Sequence, residues 1–341
     1  MKIPMSRILQ PWRILAWTLV VSSLLATARR PLAADARATV KLVFVGDIMV
    51  ARDEETGKLI ERGIDPFEPF ASVLRQADVA VGNLECVIAE KGKPIEKPFE
   101  FLAHPRCIPV LTKYFAALTV ANNHAEDYGA PAFVEQCERL ERAGLPYFGG
   151  GRNKSAAHKP WIVERNGIRI AMLGFSDVYS PDFEAKEDRP GVARSDDADA
   201  TLVDIKAARE KYKADIVIPF LHWGWQYRPA NERQKQLAFK MIDAGADVVV
   251  GAHPHVTQGA EYHNGHLIVY SLGNFLFNGF DKPETQTGWA LRLTVDKHGM
   301  VAWDTVVARL DQRGVPHPRF DAKSPSGRAG SSEIVERAQR Q

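Results

Sequence analysis

The sequence predicts an α/β protein in which a system of mixed sheets is covered by helices on its outer faces, within a single domain. Three observations carry this. Short apolar, β-branched runs alternate with helical segments along most of the chain. Asn166-Gly167, Asn264-Gly265 and Lys297-His298-Gly299 each lie between two such runs and mark hairpins, so the sheets are mixed rather than purely parallel. Five successive strands also end in a polar cluster, the pattern of an α/β domain whose ligand edge lies at the carboxyl ends of its strands.

Taken in order, Val40 to Val45 reads as a strand that Gly46-Asp47 ends. Helices are expected from Asp53 to Arg62 and from Pro66 to Gln76, the second with its proline at an N-terminal position. Asp78 to Val81 is a short strand leading into Gly82-Asn83-Leu84-Glu85, and Glu90 to Pro98, rich in Lys, Glu, Gly and Pro, is an exposed loop. Pro105 to Tyr114 is helical, Phe115 to Ala121 is a strand, and Asn122-Asn123-His124 follow it. A helix from Pro131 to Ala143 stops at Gly144. Trp161 to Glu164 pairs with Ile168 to Phe175, and Tyr179 to Asp197, polar and broken by prolines, is a long loop. A helix from Asp199 to Lys213 feeds the strand Ile216 to Leu221, which delivers His222-Trp223-Gly224-Trp225. Asn231 caps a helix to Ala244. Val248, Val249 and Val250 form a short buried strand; Gly251 ends it and releases His253 and His255 around a stiffening Pro254. Glu261 to Tyr270 folds back on itself, and Trp289 to Val295 pairs with Met300 to Val307. From Arg313 the chain is rich in Pro, Ser, Gly and Arg, so residues 313–341 are expected to be a flexible tail after a domain spanning 35–312.

With 45% hydrophobic and 25% charged residues in 341, the chain is globular. Lys2, Arg7 and Arg13 precede an apolar run from Ile14 to about Ala28, shorter than the ~20 residues of a spanning helix. Ala26-Thr27-Ala28 and Ala34-Asp35-Ala36 offer small-x-small cleavage sites, so residues 1–34 are expected to be an export signal, with an uncleaved N-terminal anchor as the alternative. Export places the protein in the periplasm or at the cell envelope. Loss of residues 1–34 removes five basic residues and no acidic one, taking the formal charge from +2 to −3. A mildly acidic protein without a basic stripe has no pull toward nucleic acid. Cys86, Cys107 and Cys137 are too few and too scattered for a disulfide framework: one pair could close, or all three are buried thiols.

The chemistry lies at the strand ends: Asp47, then Asn83 and Glu85, then Asn123 and His124, then His222, then His253 and His255. Each has a plainer reading as turn, cap or packed aromatic neighbour. Together they converge on a metal or phosphate-like site, and their nitrogens suit zinc, manganese or iron better than calcium or magnesium. His104, His158, His263, His266, His298 and His317 lack that order and read as structural or solvated.

Gly46-Asp47-Ile48-Met49, Asn83-Leu84-Glu85, Ala121 to Gly129, Leu221-His222-Trp223-Gly224, Gly251-Ala252-His253-Pro254-His255 and Tyr270 to Phe275 resemble, in order, the signature series of the CapA family of bacterial capsule and poly-γ-glutamate biosynthesis proteins. The resemblance covers about residues 41 to 281. That family is in turn similar to calcineurin-like metallophosphoesterases, which implies a sandwich of two mixed β-sheets flanked by helices. By position it implies one or two divalent ions held by Asp47, Glu85, Asn123, His222, His253 and His255. It further implies that His124 protonates a leaving group or steadies the transition state, with Asp127 orienting it. The phosphoesterase pattern has a histidine where this chain has Met49, a poor ligand for a hard ion, and a bridging aspartate that Glu85 replaces. Asn83, and Lys97 and Arg228 as cations, are candidates for binding an anionic envelope polymer or a phosphate ester. The function implied is metal-dependent hydrolysis in the making or export of such a polymer. The alternative is a non-catalytic binding or assembly factor for a membrane-bound synthase.

Overall fold

Along the strand Val40–Ile48, Val40, Leu42 and Phe44 point to one side and Val43 and Val45 to the other, and both sets are buried. A strand apolar on both faces needs a layer on each. The structure, a computed structural model that describes residues 38–178, 183–195 and 198–329, supplies them. Among the described residues, this strand lies inside a nine-stranded sheet. On one side it runs parallel to Val79–Leu84, followed by Ala117–Thr119 and Tyr147–Phe148. On the other it runs antiparallel to Thr287–Asp296, followed by Gly299–Leu310 and Pro316–Arg319.

The second sheet has six strands. Its centre is parallel, in the order His266–Leu272, Val248–Ala252, Ile216–His222 and Ile168–Ser176. Hairpin partners Thr257–His263 and Trp161–Arg165 close its two edges. The turns behave as their residues dictate: Asn166 and Gly167 have φ of 52° and 74°, Asn264 and Gly265 51° and 81°.

Leu42, Phe44, Val81, Ile170, Ile218, Phe220, Val250 and Leu291 meet in the core between the two sheets. At about 1.5–3 kcal/mol per fully buried apolar side chain, this layer outweighs the surface ion pairs, each worth about 0–1 kcal/mol. Helices Glu55–Glu61, Ile108–Tyr114 and Gly129–Arg142 put Leu59, Leu111 and Phe133 against the outer face of the first sheet. Ala198–Glu210 and Glu232–Asp243 cover the second with Ile205 and Met241. Asn231 and Gln234 form a reciprocal capping box at the start of the latter helix. The α/β sandwich expected from the sequence is the one observed.

Two expectations are corrected. The helix expected over Pro66 to Gln76 is only a 3₁₀ turn, Glu68–Phe70, and one helical turn, Ala71–Leu74. The tail expected from Arg313 instead adds Pro316–Arg319 and Ser326–Arg328 to the exposed edge of Gly299–Leu310, whose free backbone groups favour a partner over solvent. The expected leader and the end of the tail lie outside the described residues, as do 179–182 and 196–197 of the long loop. Within that loop Gly191–Val192 pairs with Gly150–Gly151. Among the described residues no helix is long and apolar enough to cross a membrane.

Candidate metal centre

The first strand turns its end into the site through a bulge between Val45 and Asp47. Gly46 permits this, because a Cβ there would lie 1.8 Å from the carbonyl oxygen of Gly273. Asp47 Oδ1 accepts from Asn83 Nδ2 at 2.8 Å, while Oδ2 lies 3.3 Å from His255 Nδ1. Asn83 Oδ1 accepts from Asn122 Nδ2 at 3.0 Å, and Asn122 Oδ1 accepts from the backbone N–H of His124 at 3.0 Å. Strand ends far apart in sequence are thus tied together by amides beneath the carboxylates and imidazoles.

His222 brings the second sheet into the site. Its Nε2 lies 2.7 Å from Asn123 Oδ1, 3.0 Å from His253 Nδ1 and 3.4 Å from Glu85 Oε1. One ring nitrogen, carrying at most one proton, cannot satisfy all three, whereas donor atoms gathered this closely suit a shared cation. Among the described residues, neither oxygen of the buried Glu85 has a hydrogen-bond donor. A buried carboxylate in that position is costly unless a cation meets it.

The electrostatics agree. Burial pushes the Glu85 carboxyl well above its ordinary range, with the charges of Asp47 and Asp127 adding to the effect. Burial also pushes His222 and His253 well below theirs, helped by neighbouring imidazoles. Both shifts favour the neutral forms, the imidazole form that binds metal and a Glu85 acid whose proton an ion can displace. Among the described residues, two groups of buried side chains could hold a metal ion: Asp47, Glu85 and His222, and Glu85, His253 and His255. Glu85 belongs to both.

The histidine pair is held in an unusual backbone. His253 and His255 have φ of 97° and 55°, a region non-glycine residues enter at a cost of about 1–3 kcal/mol each. Asp47 Oδ2 lies 3.4 Å from the His253 backbone nitrogen, and Asn274 Oδ1 lies 2.8 Å from His255 Nδ1. Asn274 is itself fixed by donating to the carbonyl of Thr285 at 2.9 Å. The sequence places Tyr270 to Phe275 in the family signature without singling out Asn274. The signal available was a sixth strand ending in a polar residue, at Gly273-Asn274.

His124 Nδ1 lies 2.7 Å from Asp127 Oδ2, which also accepts the Phe101 backbone N–H at 2.6 Å. Burial lowers the pKa of His124 and Asp127 opposes it. Lys97 forms an ion pair with the other Asp127 oxygen and donates to the Asn123 carbonyl at 2.7 Å. Its charge is therefore directed inward. Asn83 is fully buried beneath the carboxylates, while Arg228 is exposed. The Met49 sulfur accepts from the Ala51 N–H at 3.3 Å and the Thr56 hydroxyl at 3.7 Å, engaged within its own loop. The three cysteines are free and buried. Of the other histidines, His158 and His263 pair with Asp204 and Asp243 at 2.6 and 2.9 Å.

Known proteins share this chain's pattern. A family model described as bacterial capsule synthesis protein PGA_cap matches residues 41–279. The chain is similar to the PGA biosynthesis protein CapA of Bacillus subtilis (strain 168), 38% identical over 242 residues that cover 69% of this chain and 62% of that protein. It is similar to the capsule biosynthesis protein CapA of Bacillus anthracis, 32% identical over 288 residues that cover 81% of this chain and 69% of that one. A probable polyglutamine synthesis accessory protein of Mycobacterium tuberculosis (strain ATCC 25618 / H37Rv) is 32% identical over 211 residues, 58% of this chain and 55% of its own. The chain thus spans less than two thirds of the length of the Bacillus subtilis relative.

Proposed function

The chain belongs to the PGA_cap family of bacterial capsule synthesis proteins, and from that premise we propose that it is exported and works in making, handling or exporting an envelope polymer of the poly-γ-glutamate type, through a metal-dependent hydrolase-like site. The observation that carries the hydrolase reading is Glu85: both its oxygens are buried without a hydrogen-bond donor among the described residues, at the junction of two donor groups. The reading of export rests on the apolar run from Ile14 to about Ala28 behind Lys2, Arg7 and Arg13.

Asp47, Glu85, His222, His253 and His255 would hold the ion, with Asn123 beside them. When bound, zinc, manganese or iron supplies Lewis acidity and a nucleophilic water at neutral pH. The chain's own residues do the rest. Asp127 holds the His124 ring through Nδ1, which leaves Nε2 to move a proton to the departing group of a phosphoryl or acyl substrate. Asn83 and Asn122 keep Asp47 and the His124 backbone in register beneath it.

Metal content of the purified protein tests this first: near-stoichiometric zinc, manganese or iron that falls in His255→Ala supports it. His253→Ala and Asp47→Asn should then abolish turnover of phosphoester or amide substrates with the fold intact. Unchanged activity in both sinks the hydrolase reading.

A second reading has its own observation. Met49 stands where the phosphoesterase pattern carries a histidine, and its sulfur is engaged within its loop, so one donor is missing. On this reading the protein is a binding or assembly factor for the polymer or a membrane-bound synthase. Capture of envelope synthase proteins that survives Asp47→Asn and His253→Ala supports it; capture lost in both rules against it.

A further inference from the structure

Two cavities meet at the candidate metal centre, and they differ in their aromatic lining. His124 and His255 line one of about 380 Å³, His253 lines a wider one of about 760 Å³, and Gln226 belongs to both. The smaller is walled by Phe99, Phe101, Tyr227, Phe277 and Phe280. The Phe101 ring centre lies 4.4 Å from that of His124, and those of Phe277 and Phe280 lie 5.2 and 5.1 Å from His255. Aromatic rings therefore reach the edge of the reacting groups. Phe99 and Tyr227, at the mouth, are 69% and 50% exposed, an unusual amount of apolar ring left in water.

Neither cavity is cationic, and the aromatic rings are what set the smaller one apart. Its charged lining is Glu54, Asp281 and Lys282, one negative charge in excess. An anionic chain finds no cluster of cations there. In the wider cavity Arg233 pairs with Asp177 at 3.3 Å and Glu232 leaves the same single negative charge in excess, but Trp225 stands there in place of the five rings of the smaller one, so the two cavities differ in aromatic lining rather than in charge.

Resting on the hydrolase reading, we propose that the smaller cavity binds an uncharged apolar group on the departing side of the scissile bond, so that the substrate joins an apolar part to a polar part held over the metal-ligating residues. His124 decides which side departs, because it lines this cavity and not the wider one. The balance is that of hydrolysis. The bond between the phosphoryl or acyl centre and the departing oxygen or nitrogen breaks, and water oxygen bonds to the centre. One water proton reaches the departing atom through His124, and the other leaves to solvent if the product is an anion.

The test is binding, which needs no turnover. Phenylphosphonate and methylphosphonate are titrated by calorimetry into full-length protein loaded with zinc or manganese. Phenylphosphonate should bind at least tenfold tighter, and Phe99→Ala and Phe280→Ala should each cut that ratio at least threefold. Trp225→Ala, in the wider cavity, should leave it unchanged. Phe99 is largely exposed, so its variant tests the cavity without threatening the fold. Equal affinities, no binding of phenylphosphonate, or a ratio that responds only to Trp225→Ala overturns the proposal. Failure to hydrolyse any ester or amide, with the affinity ratio intact, counts against the hydrolase reading and leaves the apolar cavity standing.

Discussion

Replacing Glu85 by glutamine separates the two states of the site. In the metal-free protein burial favours the neutral acid form of Glu85, and a neutral amide of nearly the same shape replaces it. Folding should change by no more than about 1 kcal/mol. With metal the two proteins diverge. An ion that binds only the folded chain stabilises it by about 4.1 kcal/mol at a thousand times its Kd. Glu85 sits in both donor groups, so a hundredfold weaker site is a modest expectation, and it would retain about 1.4 kcal/mol at the same metal concentration. At about 2 °C per kcal/mol, the low end of the range for domains of 150–250 residues and the one suited to a longer chain, wild type should gain about 8 °C and Glu85→Gln about 3 °C. Scanning calorimetry on chelator-stripped protein, with and without added zinc or manganese, reads this directly. Equal gains in both proteins, or none in wild type, would refute the reasoning.

The same pair of proteins reads the proton. The folded carboxyl of Glu85 titrates well above its ordinary value, so as pH rises past that value the unfolded chain releases a proton that the folded one keeps. Metal-free wild type should therefore lose stability with rising pH relative to Glu85→Gln, by up to about 1.4 kcal/mol per pH unit, until the folded group also ionises. The lowered histidines act in the opposite sense below their ordinary value, but they are common to both proteins and largely cancel in the difference.

Lys97→Met leaves Asp127 buried without its cation and should cost up to about 3 kcal/mol; because Lys97 lowers the pKa of His124, nuclear magnetic resonance titration of that ring should move upward, and a downward shift contradicts the assignment. Gly251→Ala would put a Cβ 2.1 Å from the Tyr270 carbonyl oxygen and 2.4 Å from Trp223 Nε1, so soluble yield or melting temperature should fall sharply, and a normal melt with full metal content counts against this packing. Burial pushes the Cys86 thiol up to about 12 and that of Cys137 to about 11, so a thiol reagent at pH 8 should label none of the three cysteines in native protein and all three after denaturation; fast native labelling would place a cysteine at the surface.

What the sequence made legible followed from rules that act locally or by topology. Alternation around Asn166-Gly167 and Asn264-Gly265 specified the hairpins, since few other residue pairs accept two positive φ angles in succession. Strands that run parallel share a carboxyl edge, which is why Asp47, Glu85 and Asn123 from one sheet and His222 and His253 from the other could be grouped by order alone. The rest depended on pairings that no local pattern announces. Lys97 lies in a stretch that reads as an exposed loop and was a candidate cation for the polymer, yet the loop is anchored where Glu135 accepts the N–H groups of Glu90 and Lys91, and Lys97 then reaches Asp127. Pro316–Arg319 has no strand signature and is ordered by the open edge beside it.

The backbone of the histidine pair argues most directly for a working site. Pro254 explains why the segment is stiff, but not why both flanking residues sit at positive φ, where a chain selected for stability alone would carry glycine. Asp47 Oδ2 and Asn274 are placed to hold this arrangement, and Asp47 is itself one of the donor groups. A strained segment held by the same carboxylate that would bind the ion couples the geometry of His253 and His255 to the state of the site. A scaffold that only presents a surface to a polymer or a synthase has no use for that coupling. The strain, more than the count of histidines, favours the metal-dependent reading over the assembly factor.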